Sequence, residues 1–403
     1  MKKITIGILK ETKNPPDKRV ALTPSTALEL QKRFPEIEIK IQSSYIRSFK
    51  DEEYRYVGLN VVDDVSDCDI LIGIKEVDIP SLIPNKPYLF FSHVAKKQNY
   101  NKPLLQAILK ENVTLIDYEY LTNKKGMRLI AFGKWAGIVG AYNAIRTWCF
   151  KYDKTELKAA YSYLNKLEMF DEISDFTIDP IKIALTGGGR VAQGAIETLN
   201  AFGIKEVSTE DFLLKDFSEV VYTKIEPWDY VERKDGKEFD LNHFFKNPTE
   251  YISTFKRFTK VADIYIPCHF WDHKSPKFFT REDAKEADFN IKVIGDVSCD
   301  IDGPIASTLR ASKIEDPFYD YNPQTEKEED AFSNENNISV MAVDNLPGEL
   351  PRDASEDFSL TLIENIIPHL LGNDSDEVIK RATITKEGKL TETYSYLNDW
   401  VKS

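Results

Sequence analysis

The sequence has few cysteines, and their arrangement excludes two kinds of site. Only four occur in 403 residues, with neither a CxxC spacing nor a nearby pair of histidines. A disulfide framework and a zinc site are therefore not expected, and we predict no metal site. Reduced cysteines are typical of a cytoplasmic protein, which is the location we predict. The four cysteines are Cys68, Cys149, Cys268 and Cys299.

Long apolar runs and basic tracts are also missing. No run reaches the roughly 18 apolar residues of a membrane span, and the apolar stretch at the start is too short for a signal peptide. The 53 Lys and Arg residues are outnumbered by 66 Asp and Glu residues, which gives a net charge of −13. We therefore expect neither a nucleic-acid partner nor a membrane partner.

The composition does provide for a large folded core. Hydrophobic residues make up 42% of the chain and aromatic residues 12%, which excludes global disorder. A chain of this length has room for two or three domains of ordinary size.

The most informative stretch is a glycine triplet between a strand pattern and a helix pattern. Residues 181–186 form an apolar, β-branched run, Gly187, Gly188 and Gly189 follow, and apolar residues at helical spacing continue from Val191 to Phe202. A glycine triplet alone also fits a flexible turn. Strand, glycines and helix in this order favour a dinucleotide-binding site of the Rossmann type.

Each glycine-motif residue has a role in that interpretation. Read as G-x-G-x-x-A, the motif uses Gly187 for the tight turn and Gly189 for close approach of the pyrophosphate. Ala192 then allows the helix to pack closely on the strand, and the helix N-terminus offers free N–H groups to the phosphates.

The first part of the chain alternates strand and helix patterns. Such alternation over about 120 residues predicts an open, mostly parallel sheet. Thr23 and Pro24 have the residue types of a helix cap and a first helical position. Strands are predicted at 4–9, 37–41, 69–74, 88–91 and 113–118, and helices at 24–34 and 103–110.

The second part predicts another α/β domain. A helix over 134–152 and a helical pattern over 154–176 precede the glycine motif. Residues 214–258 read as an insertion and 320–337 as an exposed loop, and a helix over 355–371 is expected to pack on the first domain. After the glycine motif, strands are predicted at 207–213, 262–267, 292–297 and 338–343.

These patterns predict two doubly wound α/β domains with a cleft between them. The substrate domain would consist of residues 1–134 and 345–403, and the dinucleotide domain of residues 135–344. Within the latter, Glu210 or Asp211 lies about 20 residues past the glycines, where an acid binds the adenosine ribose hydroxyls. This acid predicts a preference for NAD over NADP.

Polar residues follow several predicted strands of the first domain. Lys75 and His93 each come directly after an apolar run, and ligands bind at the carboxyl ends of parallel strands. A lysine and a histidine at one edge suit proton transfer, and Arg19 and Arg128 suit carboxylate binding. Each of these side chains alone also fits a structural or surface role.

Several phrases of the sequence resemble a known superfamily. Residues 10–24, KETKNPPDKRVALTP, resemble the opening of the alanine dehydrogenase and transhydrogenase superfamily. Within it, further phrases look most like the lysine-forming saccharopine dehydrogenases, and the match runs in order over nearly the whole chain. These phrases are GIKE (73–76), FSH (91–93), DYEYL (117–121), RLIAFGKWAG (128–137), DVSCD (296–300) and DNLPGELPRDAS (344–355).

The resemblance implies roles for named residues. It makes Lys75 and His93 the acid–base pair and places Asp344 near the nicotinamide. The residues that it implies for substrate carboxylates and their surroundings are Arg19, Arg128, Lys13, Glu119 and Lys96. Those that it implies for the pyrophosphate are Gly187, Gly188, Gly189, Arg190, Val191 and Ala192.

The sequence departs from the family pattern at three places. Val191 and Cys268 match positions that are paired cysteines in some members, so this bridge cannot form here. Asn345 replaces the histidine expected after Asp344, which puts that role in doubt. Residues 214–258 are longer than expected, which leaves the adenosine contacts there open.

By this resemblance the chain is expected to be an NAD-dependent amino-acid dehydrogenase of lysine metabolism, with a small-molecule substrate. Saccharopine would be cleaved to lysine and 2-oxoglutarate. An alanine dehydrogenase, which yields pyruvate and ammonia, is the alternative within the class. A catalytically silent nucleotide sensor is the alternative outside it, and the oligomeric state stays open.

Overall fold

In the computed structural model, which describes residues 3–152, 154 and 156–402, the chain divides into two compact units. The first unit combines the residues up to Phe132 with those from Pro351 onward. The second unit is Gly133–Leu350. The sequence patterns predict the corresponding junctions after residues 134 and 344.

Each unit contains one large β-sheet. The strands are, in chain order, β1 (Ile4–Ile8), β2 (Ile37–Gln42), β3 (Asn60–Val62), β4 (Ile70–Ile72), β5 (Pro87–Phe90), β6 (Thr114–Asp117), β7 (Lys182–Thr186), β8 (Lys205–Glu206), β9 (Val221–Ile225), β10 (Val231–Arg233), β11 (Tyr251–Ser253), β12 (Ile264–Pro267), β13 (Val293–Gly295), β14 (Phe318–Asn322), β15 (Lys327–Glu329), β16 (Ile338–Met341), β17 (Thr383–Lys386) and β18 (Lys389–Leu390).

Helices alternate with these strands along much of the chain. They are, in chain order, α1 (Pro24–Arg33), α2 (Asp51–Tyr56), α3 (Lys102–Lys110), α4 (Gly133–Lys151), α5 (Lys166–Ile173), α6 (Arg190–Ala201), α7 (Thr209–Leu214), α8 (Pro227–Tyr230), α9 (Leu241–Lys246), α10 (Lys256–Thr259), α11 (Pro351–Asn365), α12 (Ile367–Leu371), α13 (Val378–Ala382) and α14 (Asn398–Lys402).

The sheet of the first unit has the order β18-β17-β6-β5-β4-β1-β2-β3. The strands from β6 to β3 are parallel, whereas β17 and β18 are antiparallel to their neighbours. Successive residues of a strand pack into two different hydrophobic cores, one on each face of the sheet. Leu71, for example, packs into one core and Ile72 into the other. Because both faces are covered, the central strands are apolar throughout rather than alternating.

Helix α11 packs within the first unit, far in sequence from its neighbours. Its Ser355 hydroxyl accepts a hydrogen bond from the Val20 N–H at 2.9 Å, and Phe358 is buried in the core. Helix α1 begins as predicted, because the Thr23 hydroxyl accepts from the Thr26 N–H and Pro24 occupies the first position.

The sheet of the second unit has the order β15-β14-β16-β13-β12-β7-β9-β8. Its strands from β16 to β8 are parallel and β14 and β15 are antiparallel. The predicted α/β class with two doubly wound, mostly parallel sheets is therefore confirmed. No helix among the described residues is long and apolar enough to cross a membrane.

The exposed loop predicted over 320–337 is wrong, because β14 and β15 form a hairpin there. Tyr319 and Tyr321 are buried in the core. Asp320 between them is also buried, and its carboxylate accepts hydrogen bonds from Ser339 and Ser333. Because its carboxylate is hydrogen-bonded, Asp320 can be buried, and this acidic segment can therefore form part of a sheet.

Two further predictions in the second unit are wrong. Residues 207–213 are not a strand, because Ser208 caps helix α7 by accepting from the Asp211 N–H at 3.1 Å. Residues 214–258 are not a simple insertion, because they supply β9 beside β7 and the antiparallel pair β10 and β11. The helical pattern over 154–176 is realised only in part, as α5, which Asn165 caps.

Helices α4 and α6 pack backbone against backbone through two glycines. A Cβ on Gly137 would lie 1.8 Å from the Val191 carbonyl oxygen, and one on Gly194 would lie 2.0 Å from the Lys134 carbonyl oxygen. The Thr198 hydroxyl adds a hydrogen bond to the Ile138 carbonyl at 2.9 Å. This close contact fixes the helix that follows the glycine motif.

Gly137→Ala is expected to lower the free energy of unfolding by about 1–3 kcal/mol, because the new methyl group must push a backbone carbonyl aside. Urea unfolding followed by circular dichroism measures this change. Asn200→Ala, at an exposed position of α6, is the control and should change stability by less than about 0.5 kcal/mol. Equal stability of the two variants would contradict the close packing described for α4 and α6.

Candidate functional site

Lys75 and His93 lie at the same edge of the first sheet, on adjacent strands. Strands β4 and β5 pair in register, with Ile72 opposite Leu89. One more backbone hydrogen bond follows, from the Phe91 N–H to the Ile74 carbonyl at 2.9 Å. Lys75 is the next residue on one strand and His93 is two residues on along the other, so both follow the carboxyl ends of their strands.

The environment of Lys75 favours its neutral form. Burial, reinforced by the positive charge of Arg19, lowers the pKa of Lys75 to about 8, and Lys13 acts in the same direction. The carboxylates of Asp17 and Glu76 act against this shift. A lysine with this pKa exchanges its proton near neutral pH, as a general base or acid must.

Arg19 is buried and paired with Asp17. Its Nε and Nη2 donate to the two carboxylate oxygens of Asp17 at 3.0 and 2.6 Å, and only 2% of the Arg19 side chain is exposed. The guanidinium also lies over the Phe132 ring, 4.2 Å from its centroid. The structure thus gives Arg19 a bidentate carboxylate partner within the protein.

Lys13 lies beside this pair. Its Nζ is 3.0 Å from Oε2 of Glu76, which is buried next to Lys75. About a third of the Lys13 side chain, 33%, is exposed. Lys13 therefore presents a cation near Lys75 that ligands can reach.

His93 is held in an unusual backbone conformation. Its φ of 55° lies in the left-handed region, which only a few per cent of residues other than glycine adopt. The imidazole is parallel to the Phe91 ring, with centroids 6.3 Å apart. Its Nδ1 lies 3.6 Å from Oε2 of Glu119, so the strained backbone aims the ring at a carboxylate.

Glu119 brings together the remaining residues predicted for this site. Lys96 Nζ and Arg128 Nη2 both lie 2.9 Å from its Oε1. Burial acts to raise the pKa of Glu119. Contact with His93 and the charges of Lys96 and Arg128 outweigh burial and lower this pKa to about 2. Glu119 is therefore ionised at neutral pH and links one histidine with two partly exposed cations.

The glycine loop, Gly187–Gly189, has the geometry that the motif requires. Gly187 has a φ of +112°, and a Cβ there would lie 2.6 Å from the Cys268 carbonyl oxygen. Its N–H donates to the Ile225 carbonyl at 3.2 Å. Gly189 precedes helix α6, and a Cβ added there would meet no atom within 4 Å, which leaves space beside the helix N-terminus for a phosphate group.

The next three motif residues differ in exposure. Ala192 is buried, as close packing of helix on strand requires. Arg190 is exposed at the first helical position, and Val191 is partly buried with its carbonyl against Gly137. Cys268 is a free thiol that is buried at the end of β12, and burial raises its pKa.

The acid that faces the glycine loop is Glu226, which sequence reasoning missed. Glu226 directly follows β9, the strand next to β7, and its Oε1 would be 2.7 Å from a Cβ on Gly188. The predicted Glu210 and Asp211 instead lie in the first turn of α7, and their contact with the adenosine ribose stays a prediction. The signal lay in the sequence VYTKI at 221–225, whose β-branched and aromatic residues favour a strand but which lies within the expected insertion.

Asp344 is exposed and follows β16, which pairs with β13. The segment after β13 carries further acids, and burial with the charge of Asp296 raises the pKa of Asp300 to about 6. Asp296 is itself satisfied by hydrogen bonds from Ser298 and Thr308. Among the described residues, no group of three or more His, Cys, Asp or Glu side chains could hold a metal ion.

Comparison with known proteins gives a family model that matches part of the chain and a solved structure with the same fold. The family model "Alanine dehydrogenase/PNT, N-terminal domain" matches residues 7–139. A solved L-alanine dehydrogenase covers 99% of this chain, and the chain covers 100% of it, with a TM-score of 0.65 at 15% identity. At this identity the likeness shows the fold.

Two curated relatives illustrate the sequence matches. Alpha-aminoadipic semialdehyde synthase of Arabidopsis thaliana is 30% identical over 444 residues, which cover 99% of this chain and 42% of that protein. Saccharopine dehydrogenase [NAD(+), L-lysine-forming] of Yarrowia lipolytica is 28% identical over 380 residues, which cover 90% of this chain and 92% of that protein.

The relatives differ in length. The chain spans less than half of the semialdehyde synthases that it matches, whereas it matches the saccharopine dehydrogenases over nearly their whole length. The chain is therefore similar to members of the alanine dehydrogenase and transhydrogenase superfamily, and among them to NAD-dependent, lysine-forming saccharopine dehydrogenases.

Proposed function

We propose that this chain is an NAD-dependent amino-acid dehydrogenase that oxidises saccharopine to lysine and 2-oxoglutarate. The observation that carries the proposal is the edge formed by Lys75 and His93, where a lysine of lowered pKa follows one strand and a histidine follows the next. The similarity to saccharopine dehydrogenases over nearly their whole length supports the same reaction class. Saccharopine, NAD⁺ and water give lysine, 2-oxoglutarate, NADH and a proton.

When bound at the glycine loop, NAD⁺ would supply the hydride acceptor for the substrate carbon that bears both the bridging nitrogen and a carboxylate. Neutral Lys75 takes the proton of the secondary amine as the carbon–nitrogen double bond forms. His93, aimed by Glu119, takes a proton from the water that adds to the imine carbon. Protonated Lys75 gives its proton to the former imine nitrogen, which completes the carbinolamine. As the carbinolamine breaks its carbon–nitrogen bond, its hydroxyl proton passes to Lys75 and protonated His93 donates a proton to the leaving lysine nitrogen. The proton left on Lys75 is the one that the reaction releases.

The second unit fits the dinucleotide. The open space at Gly189 and the N-terminus of helix α6 suit the pyrophosphate, and Arg190 is close to the same position. The Glu226 carboxylate beside Gly188 suits the adenosine ribose hydroxyls. Asp344, at the end of β16, is our candidate for the nicotinamide end.

The cations of the first unit support saccharopine over alanine as substrate. Saccharopine carries three carboxylates and alanine one, so saccharopine needs several cationic anchors. Lys13, Lys96 and Arg128 are all partly exposed near the same strand ends. Arg19 is buried against Asp17, and we propose that it shapes this surface and the pKa of Lys75.

The alternative substrate is alanine, which the match to the alanine dehydrogenase N-terminal model favours. A test of both substrates follows NADH oxidation at 340 nm with lysine plus 2-oxoglutarate, and separately with pyruvate plus ammonia. We expect turnover with the first pair. Turnover with the second pair alone would replace saccharopine by alanine, and NADH binding without any turnover would indicate a nucleotide sensor.

Arg128→Ala is expected to raise the KM for saccharopine by roughly 30-fold, because a charged hydrogen bond to a substrate carboxylate is lost. NADH affinity should be unchanged. The control is Arg55→Ala, since Arg55 is an exposed arginine of the same unit that also pairs with a carboxylate. An unchanged KM in Arg128→Ala would remove Arg128 from the substrate contacts.

Glu226→Ala is expected to lower kcat/KM with NAD by about 10-fold, because hydrogen bonds to the ribose hydroxyls are lost. Efficiency with NADP should rise, since Lys224 Nζ, now 2.9 Å from the Glu226 carboxylate, would be free to meet the 2′-phosphate. Glu210→Ala is the control and should leave both values unchanged. A drop with Glu210→Ala and none with Glu226→Ala would restore the assignment made from sequence.

A further inference from the structure

A buried carboxylate extends the pairing of β1 with β4 beyond the end of the strands. The last backbone bond between them runs from the Leu9 N–H to the Ile72 carbonyl at 2.9 Å. Beyond it, the Glu11 carboxylate accepts from the Ile74 N–H at 2.7 Å and from the Lys75 N–H at 2.8 Å. Glu11 thus holds the backbone of Lys75 where the neighbouring strand no longer can.

A second buried carboxylate, that of Asp117, holds the backbone beyond the end of β5 from the neighbouring strand β6. Asp117 ends β6, the strand beside β5. Its Oδ2 accepts from the backbone N–H of Ser92 at 3.1 Å and from the Ser92 hydroxyl, and its Oδ1 accepts from the Glu119 N–H at 2.8 Å. One side chain therefore fixes the residue before His93 together with Glu119.

The strand order explains why both carboxylates act on one edge. In the order β6-β5-β4-β1, Asp117 reaches inward from β6 and Glu11 reaches inward from β1. Neither has a Lys or Arg among the hydrogen-bond donors that bind it in the described part of the chain. Burial raises the pKa of Glu11 to about 8 and raises the pKa of Asp117 above its ordinary value, while the hydrogen bonds from backbone N–H groups act against both shifts.

The left-handed backbone of His93 indicates that the hydrogen bonds of Asp117 also hold the catalytic candidate in place. Such a conformation is strained for a residue other than glycine and persists only where its surroundings fix it. Ser92, the preceding residue, is tied to Asp117 by two hydrogen bonds. The same carboxylate holds Glu119, toward which the His93 ring is aimed.

We propose that Glu11 and Asp117 are positioning residues for proton transfer, Glu11 acting through Lys75 and Asp117 acting through His93 and Glu119. This inference rests on the proposed function only in taking Lys75 and His93 as the acid–base pair. The positioning itself is measured without turnover.

The test of Glu11 is the variant Glu11→Gln, whose amide NH₂ group repels one of the two backbone N–H donors. Released from its position, Lys75 becomes more hydrated, although Lys13, Asp17, Arg19 and Glu76 still face it. The pKa of Lys75 should then rise from about 8 toward the ordinary lysine value of about 10.4. Labelling of Lys75 with acetic anhydride across pH, read by mass spectrometry, measures this pKa directly.

The same variant should move the kinetics in the same direction. In the pH profile of kcat/KM for saccharopine, the rise on the acidic side should move to higher pH. The value of kcat at pH 7.5 should fall by about 10-fold or more. A role in folding alone would lower the melting temperature but leave the labelling curve and this rise in place. An unshifted curve would overturn the proposal for Glu11.

The test of Asp117 is the variant Asp117→Asn, which cannot accept all three hydrogen bonds. We expect kcat to fall by about 10-fold or more, NADH affinity to be unchanged, and His93 to react several-fold faster with diethylpyrocarbonate. The control is Asp64→Asn, because exposed Asp64 binds the N–H and hydroxyl of Ser66 in the same way, at 2.8 and 2.6 Å. Unchanged kcat and unchanged His93 reactivity in folded Asp117→Asn would overturn the proposal.

A milder variant covers the case in which Asp117→Asn does not fold. Ser92→Ala removes the hydroxyl bond to Asp117 and the long bond that the hydroxyl accepts from the Val94 N–H at 3.4 Å, but keeps the backbone bond to Asp117. It should lower kcat by about 3-fold, with faster His93 modification. If wild-type protein shows no turnover with saccharopine, the proposed function fails. The labelling of Lys75 and His93 still decides the positioning, since it needs no substrate.

Discussion

Lys75→Met is expected to lower kcat for saccharopine oxidation by about 100-fold or more, the usual scale of general acid–base catalysis. Methionine keeps the length and apolar stem of the side chain but has no proton to exchange. In the wild type, kcat/KM should rise with pH through about 8, the pKa to which burial lowers Lys75. In Lys75→Met this rise of kcat/KM with pH should disappear.

The control for this prediction is Lys97→Met. Lys97 is an exposed lysine of the same unit and directly follows the short helical turn after His93. It should retain wild-type turnover and pH dependence. NADH affinity, measured by fluorescence titration, should be unchanged in both variants, because Lys75 belongs to the first unit and the glycine loop to the second. Lost NADH binding with turnover intact in Lys75→Met would contradict the assignment.

Arg19→Ala is expected to destabilise the protein by about 3–5 kcal/mol, the usual cost of leaving one member of a buried ion pair unpaired. Asp17 would remain as a buried carboxylate without its bidentate partner. The stacking of the guanidinium on Phe132 would be lost as well. Urea unfolding at pH 7 measures the change.

The pH dependence of this loss has a definite sign. Although burial acts to raise it, pairing with Arg19 holds the pKa of Asp17 well below its usual range. The pair therefore stabilises the folded state above the ordinary aspartate pKa of about 3.9, and this stability is lost as the pH falls toward the folded-state pKa. The stability difference between wild type and Arg19→Ala should narrow over this acidic range.

Arg55→Ala again serves as the control and should change stability by no more than about 0.5 kcal/mol, since Arg55 is half exposed. If Arg19→Ala unfolds like the wild type and only the KM for saccharopine rises, the direct substrate role that the family resemblance implies would replace the structural role proposed here.

Features with strong local signals could be predicted from the sequence. Thr23 and Pro24 mark the start of α1 because capping depends on neighbouring residues alone. The glycine loop is identifiable because its conformational requirement lies within three residues. Lys75 and His93 could be placed at one edge because parallel strands end together.

Features that depend on distant partners could not be predicted in this way. Glu226 was missed because β9 lies in a long charged segment and is recognisable as a central strand only by its pairing with β7. The burial of Arg19 depends on Asp17 and on Phe132, which is far along the chain. The buried Asp320 looked like part of an exposed acidic loop because its hydrogen-bond donors, such as Ser339, lie on another strand.

The most direct measurement of the central claim is the oxidation of saccharopine by the purified protein with NAD⁺, with the products identified by mass spectrometry. The account predicts NADH formation with lysine and 2-oxoglutarate in equal amounts, and a kcat/KM for saccharopine at least about 100-fold above that for alanine. NADH formation from alanine with pyruvate and ammonia as products, and none from saccharopine, would contradict it.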